Sequence, residues 1–269
     1  MNNQPRIALA LAAAMAAFAF PGHAQSWIKP GEETLLLRLG AVSSNFNTSA
    51  RIDGKTAGGS DINYEDQLGL DSNKSTYSLA GALRFARNHR LDGAYDDNKR
   101  SASKTTERSY TIGDTTIPAG TVLGAEQRTS IGYLGYRYSL LKSDAMEVGL
   151  GLGVYGGNFK FKFGADSPVI NIDKSTTLPL PVLVASGDFY LTERATITAT
   201  LRGLKVKIGD VDGSVYEAVL AGEYLLTNNV GIGASVGRFD MQADVTKSGF
   251  SGSTELKSTA ARLYLTARF

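Results

Sequence analysis

The clearest pattern of the chain is the regular alternation of apolar and polar residues in its last stretch, residues 257–269. Apolar side chains recur at every second position, at Ala261, Leu263, Leu265, Ala267 and Phe269. The positions between them include two arginines, Arg262 and Arg268. Because successive side chains of a β-strand point to opposite faces, the stretch is predicted to be a strand with one apolar and one charged face. A strand of a soluble β-sandwich could show the same alternation, so other features must decide whether the apolar face meets a protein core or lipid.

The same alternation recurs along the chain and predicts ten strands. They cover residues 33–42, 76–85, 90–97, 129–140, 146–157, 178–190, 195–206, 215–226, 230–241 and 257–269. An even number of antiparallel strands of about ten residues is typical of transmembrane β-barrels. We therefore predict an all-β, antiparallel transmembrane barrel of about ten strands. The number becomes eight or twelve if the ends of the second or third long connection are strands.

The predicted connections alternate between short and long. The short ones are residues 86–89, 142–145, 192–194 and 227–229, and the long ones are 43–75, 98–127, 158–177 and 242–255. One connection of the second set, 209–214, is also short, and its Asp212-Gly213 pair predicts a hairpin turn. Within the second long connection, residues 112–120 are expected to form a small β-excursion that ends at Pro118. Bacterial barrels have short periplasmic turns and longer outer loops, so both termini are predicted to lie on the periplasmic side.

Aromatic residues fall near the ends of the predicted strands, on the face that carries the apolar residues. Those near the periplasmic ends are Phe85, Tyr138, Phe189, Tyr224 and Phe269, and those near the outer ends are Tyr77 and Tyr216. Two aromatic girdles are typical of a barrel that crosses a membrane, where they lie at the two interfaces. This pattern favours the membrane barrel over a secreted periplasmic β-protein.

The opposite face of the strands is predicted to line a charged lumen. The predicted set of lumen charges is Arg38, Arg84, Asp92, Arg137, Glu147, Asp188, Arg202, Glu217, Glu223 and Arg262, and Asp96 and Arg268 share their parity. Positive and negative charges are equally numerous, so they can pair across the barrel. A barrel of eight strands has room only for side chains, and ten strands should lie close to that limit. We expect a plugged lumen, with a narrow conducting path between the charges as the alternative.

The N-terminus has the features of a secretory signal peptide. Arg6 precedes the apolar run 7–20, and a small-x-Ala sequence ends at Ala24. The run is shorter than the ~20 residues of a membrane-spanning helix. We therefore predict a signal peptide over residues 1–24 and a single outer-membrane barrel domain over residues 25–269. The chain has no cysteine, and its 28 basic and 26 acidic residues nearly balance, which gives no reason to expect nucleic acid as a partner.

Several short motifs carry a family resemblance. They are INYEDQLGL at residues 62–70, LRF at 83–85, GDTTIPAG at 113–120 and YRYSL at 136–140. In this order they resemble a group of small, uncharacterised outer-membrane β-barrel proteins of proteobacteria, over about residues 33–157. The resemblance implies the fold and the outer membrane of a Gram-negative-type bacterium, and it supplies no functional residues. The last strand also resembles the closing strand of such barrels, which implies recognition by the outer-membrane assembly machinery.

The residues that catalysis would require are scarce. Small outer-membrane barrels that act as enzymes use a histidine to move a proton. Of the two histidines, His23 lies in the signal peptide and His89 in a predicted periplasmic turn. Asp96 and Asp97 are adjacent, so in a strand they point to opposite faces. We expect no enzymatic activity and no cofactor.

A possible calcium site lies in the first long connection, where Asp61, Asn63 and Glu65 are spaced as at the start of an EF-hand loop. Asp66 stands where that loop requires glycine, and Ser72 where it requires glutamate, so the EF-hand interpretation fails. Weak binding of a divalent cation stays open as an alternative to a solvated loop.

Basic residues of the outer connections could contact the phosphates of lipopolysaccharide. They are Arg51, Lys55, Lys99, Arg100, Lys104, Arg108, Lys160, Lys162, Lys205 and Lys207. Ordinary solvated charge is the alternative, because acidic residues lie between them. The sequence thus predicts a non-enzymatic outer-membrane barrel that is structural or binds ligands through its outer loops, with a narrow channel for ions or small solutes as the alternative. Outer-membrane lipid and lipopolysaccharide are its expected partners, and the extracellular ligand stays open.

Overall fold

The structure is a computed structural model that describes residues 28–166, 169–247 and 250–269 of the chain. The predicted signal peptide, residues 1–24, lies outside the described residues. Within them the structure contains no helix that is long and apolar enough to cross a membrane.

Ten long antiparallel strands form a closed barrel, as the sequence predicts. They are β1 (Leu35–Asp53), β3 (Asn73–Ala86), β4 (His89–Thr105), β7 (Val122–Lys142), β8 (Met146–Asp166), β9 (Val169–Tyr190), β10 (Ala195–Ile208), β11 (Val211–Leu225), β12 (Val230–Lys247) and β13 (Phe250–Arg268). Three short strands lie in the first two outer connections: β2 (Ile62–Asn63), β5 (Tyr110–Ile112) and β6 (Thr115–Ile117). The barrel closes because β1 pairs with β3 on one side and with β13 on the other.

The strands extend much further than predicted at the end of the barrel that carries the long connections. β8 continues to Asp166 and β9 begins at Val169, so most of the predicted third connection is strand. The same holds for the predicted connection 242–255, since β12 ends at Lys247 and β13 begins at Phe250. Two of the four long connections were therefore predicted wrongly. Beyond the lipid the outward face no longer needs apolar residues, so these strand ends lack the apolar stripe although their backbones remain paired.

Two local features differ from prediction by a few residues. The hairpin between β10 and β11 turns at Gly209 and Asp210, whereas Asp212-Gly213 lies within β11 and pairs with β10. Gly209 adopts a φ of +58°, a left-handed conformation that glycine tolerates at low cost. The excursion predicted at 112–120 is the hairpin of β5 and β6, which spans 110–117.

By the predicted orientation, the end of the barrel that carries the short turns is named the periplasmic end, and the opposite end the extracellular end. The interior of the barrel has two apolar clusters in its extracellular half. The upper-lumen cluster consists of Phe46, Tyr133, Tyr155, Leu180, Val182, Val184, Val215, Met241 and Leu256. The cap cluster consists of Ile62, Tyr64, Leu68, Leu70, Tyr110, Ile112, Ile117, Leu123, Ala125 and Phe163. The cap cluster joins the connections 54–72 and 106–121 to the inner faces of β7 and β8. These two connections therefore fold over the barrel mouth, and we call them the cap.

Candidate functional site

A buried carboxylate closes the periplasmic half of the lumen. Glu147 on β8 is fully buried, and its two oxygens lie 3.1 and 2.8 Å from Arg84 Nη2 on β3. Ser139 Oγ and Tyr190 Oη also donate hydrogen bonds to Glu147, the latter over 3.1 Å. Lys142 Nζ lies 3.9 Å from the same carboxylate. This group links four strands across the interior, so side chains fill the lumen at this level.

The segment before β1 folds into the same end of the barrel. Glu33 is buried, and its Oε2 accepts a 2.7 Å hydrogen bond from the backbone N–H of Gly31. Lys142 Nζ donates to Gly31 O over 2.7 Å. The void between this segment and the next charged layer has a volume of about 10 Å³, the size of a single water molecule. Side chains of the described residues thus pack closely at this level of the periplasmic end.

A second layer of charges lies above the first. Arg137 Nη1 lies 3.0 Å from Asp188 Oδ2 and donates to Ser186 Oγ. On the opposite wall Glu223 lies between two guanidinium groups, with Arg38 Nε 2.5 Å and Arg268 Nη2 2.8 Å from its oxygens. Because each buried charge has an oppositely charged neighbour, the layer avoids the large cost of an unpaired charge in the interior.

A third layer contains the remaining predicted lumen charges. Arg202 pairs with Glu217, and the Arg202 guanidinium lies 4.3 Å above the ring of Tyr133. Arg262 Nη2 lies 3.0 Å from Asp96 Oδ2. Asp92, the last member of the predicted set, accepts a 2.8 Å hydrogen bond from Arg90 Nε. The structure thus places all ten predicted lumen residues inside the barrel, each in an ion pair.

A cavity of about 200 Å³ lies in the lumen between these charges and the apolar clusters above. Its walls include Asp96, Glu217, Arg262 and the rings of Tyr133 and Tyr155. The cavity combines charged and aromatic surface, which suits a small polar guest.

Arg100 attaches the cap to the barrel wall. Its guanidinium lies 4.5 Å above the ring of Phe46, and Nη1 lies 2.5 Å from Glu65 Oε1 in the cap. Nη2 donates to Thr48 Oγ1 over 2.9 Å and to Gln127 Oε1. Arg100 was predicted to be one of the basic residues of the outer loops that contact lipopolysaccharide or solvent. That prediction is wrong, because Arg100 is buried. The sequence offers no local signal, since the partners come from two other strands, β1 and β7, and from the cap.

The same ion pair removes the basis for a calcium site in the first connection. Glu65 Oε2 accepts a 2.8 Å hydrogen bond from the backbone N–H of Thr48, so both of its oxygens have partners. Asn63 Oδ1 accepts from the backbone N–H of Asp66 over 2.8 Å. Among the described residues no group of three or more carboxylate or histidine side chains is arranged to hold a metal ion.

The two halves of the cap are joined through Asp114, in the turn between β5 and β6. Its carboxylate accepts hydrogen bonds from the backbone N–H groups of Thr56 and Lys55, over 3.1 and 3.3 Å, and from Thr56 Oγ1 over 3.1 Å. These hydrogen bonds favour the ionised carboxylate and lower the pKa of Asp114 below its ordinary value. The backbone hydrogen bonds of Thr56 and Lys55 have the largest effect.

The predicted girdle residues lie at the outer surface of the barrel. Six of them are exposed there: Tyr77, Phe85, Tyr138, Phe189, Tyr216 and Tyr224. Phe269 directly follows β13 and is half-buried, and its backbone N–H donates to Leu35 O over 2.8 Å.

His89 begins β4 instead of lying in a turn, which corrects the prediction. Its Nδ1 lies 2.7 Å from the hydroxyl of Tyr136. Its ring is 5.6 Å from that of Phe85 and 5.1 Å from that of Tyr138. His89 is therefore part of the periplasmic girdle on the outer wall, away from the lumen and the cap.

Several basic residues that were assigned to loops lie on strands. They are Lys99, Lys160, Lys162, Lys205 and Lys207, and all are exposed. The predicted strands ended too early, so the ends of the real strands were assigned to loops. These side chains line the outer wall above the apolar band.

A closed ring of antiparallel strands with an apolar outer band, aromatic girdles and a charged lumen defines a transmembrane β-barrel of the outer-membrane type. No protein-family model matches the sequence, and no curated protein matches it. The fold is similar to that of the outer membrane protease OmpT from Escherichia coli, at a TM-score of 0.53 and 10% identity, covering 92% of this chain and 99% of that one.

Two further solved structures match at lower TM-scores. The outer membrane protein OprG from Pseudomonas aeruginosa is 11% identical at a TM-score of 0.39, over 87% of this chain and 95% of that one. The toluene transporter TbuX from Ralstonia pickettii is 9% identical at a TM-score of 0.40, over 88% of this chain and 90% of that one. At such identities the likeness concerns the fold alone.

Proposed function

We propose that the protein is a non-enzymatic barrel of the outer membrane of a Gram-negative-type bacterium, closed to solutes, that is structural or binds a surface ligand through its cap. The observation that carries this proposal is the packing of side chains at both ends of the lumen. The Arg84–Glu147 layer fills the periplasmic half, and the cap covers the extracellular mouth. We place the protein in a family of small, uncharacterised proteobacterial barrels, as its motifs suggest.

The cap supports a binding role because it is a folded surface. Its apolar cluster packs onto β7 and β8, and Arg100 and Asp114 fix it by charged hydrogen bonds. Seven of the buried apolar residues of this cluster lie in the two connections, which loops that only join strands would not require. A preorganised surface binds a partner at lower entropic cost than a loop that orders on contact.

Single-channel conductance in a planar bilayer tests the closed lumen. The refolded barrel is compared with Arg137→Ala, which removes a charge from the second layer. We expect no discrete currents from the native barrel, once heat-modifiable electrophoretic migration has shown that it is folded. Stable currents that Arg137→Ala alters would replace this proposal with the channel alternative.

A narrow channel for ions or small solutes is the second candidate function. The cavity of about 200 Å³ in the middle of the lumen favours it, since charged and aromatic walls could hold a solute in transit. Passage would require movement of both the cap and the Arg84–Glu147 layer. Currents that appear only after proteolytic removal of the cap would support a gated channel of this kind.

The assignment as a non-enzyme rests on the position of the proton-transfer groups. His89 packs in the girdle on the outer wall, where a soluble substrate cannot reach it together with the lumen acids. Asp96 pairs with Arg262 inside, whereas Asp97 pairs with Arg128 outside. We expect no protease, phospholipase or lipid-deacylase activity. A hydrolysis that His89→Ala abolishes would contradict this assignment.

The proposal also includes two partners. Outer-membrane lipid, with lipopolysaccharide in the outer leaflet, would surround the apolar band, and the assembly machinery would recognise the last strand, β13. In β13 the side chains of Leu263 and Leu265 are exposed on the outer surface, which suits both contacts. Truncation of the chain before Phe269 should reduce the amount of folded barrel in the outer membrane of an expressing cell.

A further inference from the structure

Three cations lie side by side on the outer wall of the barrel. Lys99 on β4 pairs in register with Arg128 on β7, which pairs in register with Lys160 on β8. All three side chains are exposed. Adjacent strands are about 4.8 Å apart, so the three charges occupy roughly 10 Å of the wall. We call them the cation row.

The cation row carries more positive charge than its neighbours balance. Like charges directly opposite each other destabilise a sheet. Glu126 Oε2 lies 3.0 Å from Lys99 Nζ, and Asp97 Oδ2 lies 2.9 Å from Arg128 Nη2. No carboxylate among the described residues forms an ion pair with Lys160 in the structure. Among the side chains that the structure describes, two carboxylates thus face three cations, which leaves a positive surplus for an anionic partner.

The guanidinium of Arg128 is held in a defined orientation. Its Nε and Nη2 donate to the two oxygens of Asp97, over 3.2 and 2.9 Å. Ser130 Oγ donates to Asp97 as well, over 2.5 Å, and so fixes the carboxylate. This leaves the Nη1 side of the planar group for a second acceptor, and phosphate suits the arginine fork.

The row lies directly above the apolar band. Tyr95, an exposed aromatic of β4, is four residues before Lys99 on the same strand. A strand rises about 3.3 Å per residue and is tilted by about 40° from the barrel axis. Four residues therefore place the row roughly 10 Å above the tyrosine ring along that axis. With Tyr95 at the edge of the apolar band, this is the level expected for the headgroups of the outer leaflet.

Below the row, β7 and β8 have a strip without large side chains, which Tyr95 borders on β4. Gly132 on β7 and Gly156 on β8 are cross-strand neighbours, and a Cβ at Gly156 would have no heavy atom within 4 Å. Further down, Leu134 and Val154 begin the apolar band. A headgroup on the row therefore has space for its sugar, with its acyl chains against the apolar wall.

We propose that the cation row is a binding site for the phosphates of a phosphorylated lipid headgroup in the outer leaflet. Arg128 and Lys160 are its central contacts, and Lys99 completes it. The site requires that the barrel lie in a membrane, and it is independent of whether the lumen conducts.

Native mass spectrometry of the folded barrel in detergent tests this site by titration with bis-phosphorylated lipid A. The variant Lys99→Gln/Arg128→Gln/Lys160→Gln removes the row. The matched control, Arg238→Gln/Lys257→Gln, removes two exposed cations of β12 and β13 that are paired with Asp240 and Glu255. We expect the row variant to bind lipid A at least about tenfold more weakly than the native barrel. The control should bind within about twofold of the native barrel because, of the two sets of substituted residues, only the row has surplus charge.

Three further arms decide between sources of the signal. Lipid A without phosphates should bind far more weakly, and inorganic phosphate at equal concentration should not displace the lipid. Lys160→Gln alone, which breaks no ion pair recorded in the structure, should weaken binding about threefold or more even if the triple variant fails to fold. Equal binding of both lipids, displacement by inorganic phosphate, or an equal loss in the control would each overturn the proposal.

Discussion

Tyr264 lies across Gly233, its direct cross-strand neighbour, so closely that a Cβ on Gly233 would be 2.4 Å from the tyrosine ring. The ring cannot easily move aside. Its hydroxyl donates to Glu223 over 3.1 Å. On the other side, a Cβ added to Gly40 of β1 would be 2.5 Å from the Cβ of Tyr264. The glycines therefore provide the space in which a lumen tyrosine lies flat against the wall.

Gly233→Ala is expected to destabilise the barrel by about 1–3 kcal/mol, the usual cost of overpacking a filled interior. Urea unfolding in lipid vesicles, followed by heat-modifiable migration, measures the change. The matched control is Gly222→Ala on the next strand, where a Cβ would meet no heavy atom within 4 Å. Equal losses for the two variants would show that the tyrosine contact is not the cause.

The buried carboxylate of Glu147 gives a second prediction. Glu147→Ala leaves Arg84 and Lys142 without their shared counter-charge in the interior. Removal of one partner of a buried ion pair costs about 3–5 kcal/mol, so unfolding should shift to much lower urea. Glu255→Ala, which breaks an exposed pair with Lys257, should cost less than about 1 kcal/mol in the same assay. A small loss for Glu147→Ala would mean that solvent reaches the periplasmic layer.

The membrane-spanning part of the barrel could be predicted because one physical rule sets both of its faces. In β8, Leu150, Leu152 and Val154 are exposed on the outer wall, whereas Glu147 is buried in the lumen. Lipid excludes polar side chains from one face, and the narrow lumen brings charges together on the other. The strand number, the girdles and the inward charges all follow from this alternation.

The extracellular half was harder to predict because the rule reverses there. Leu123 and Ala125 face inward in β7, and of their outward neighbours only Val122 is a large apolar residue. The period of two persists over residues 122–127 and 43–50, and it was the only signal that these stretches are strands. The pairing of Arg100 with Glu65 had no signal at all, since it depends on how the first connection folds over the barrel mouth.

The role of Arg100 in holding the cap gives a third prediction. Arg100→Ala removes the charge that balances Glu65 beneath the cap, and detachment of the cap would return Glu65 to water. Limited proteolysis should then cleave residues 54–72 at least about tenfold faster, while the barrel stays folded, because local opening by 1.4 kcal/mol changes the open population tenfold. Arg108→Ala, at an exposed cap position, should leave the rate unchanged. An unchanged rate in Arg100→Ala would show that the apolar cluster alone holds the cap.

The pH dependence of the cap follows from Asp114. Its pKa is lowered in the folded protein, so the stabilisation from its hydrogen bonds is present above the ordinary carboxyl value of 3.8 and is lost as the pH falls through the lower folded value. The amide resonances of Thr56 and Lys55, which donate to this carboxylate, should therefore shift with a midpoint below pH 3.8 in an NMR titration of the barrel in micelles. Asp114→Asn should abolish that step and loosen the junction of the two connections at neutral pH. A titration step above pH 3.8 at these amides, or one that survives in Asp114→Asn, would mean that another group controls the junction.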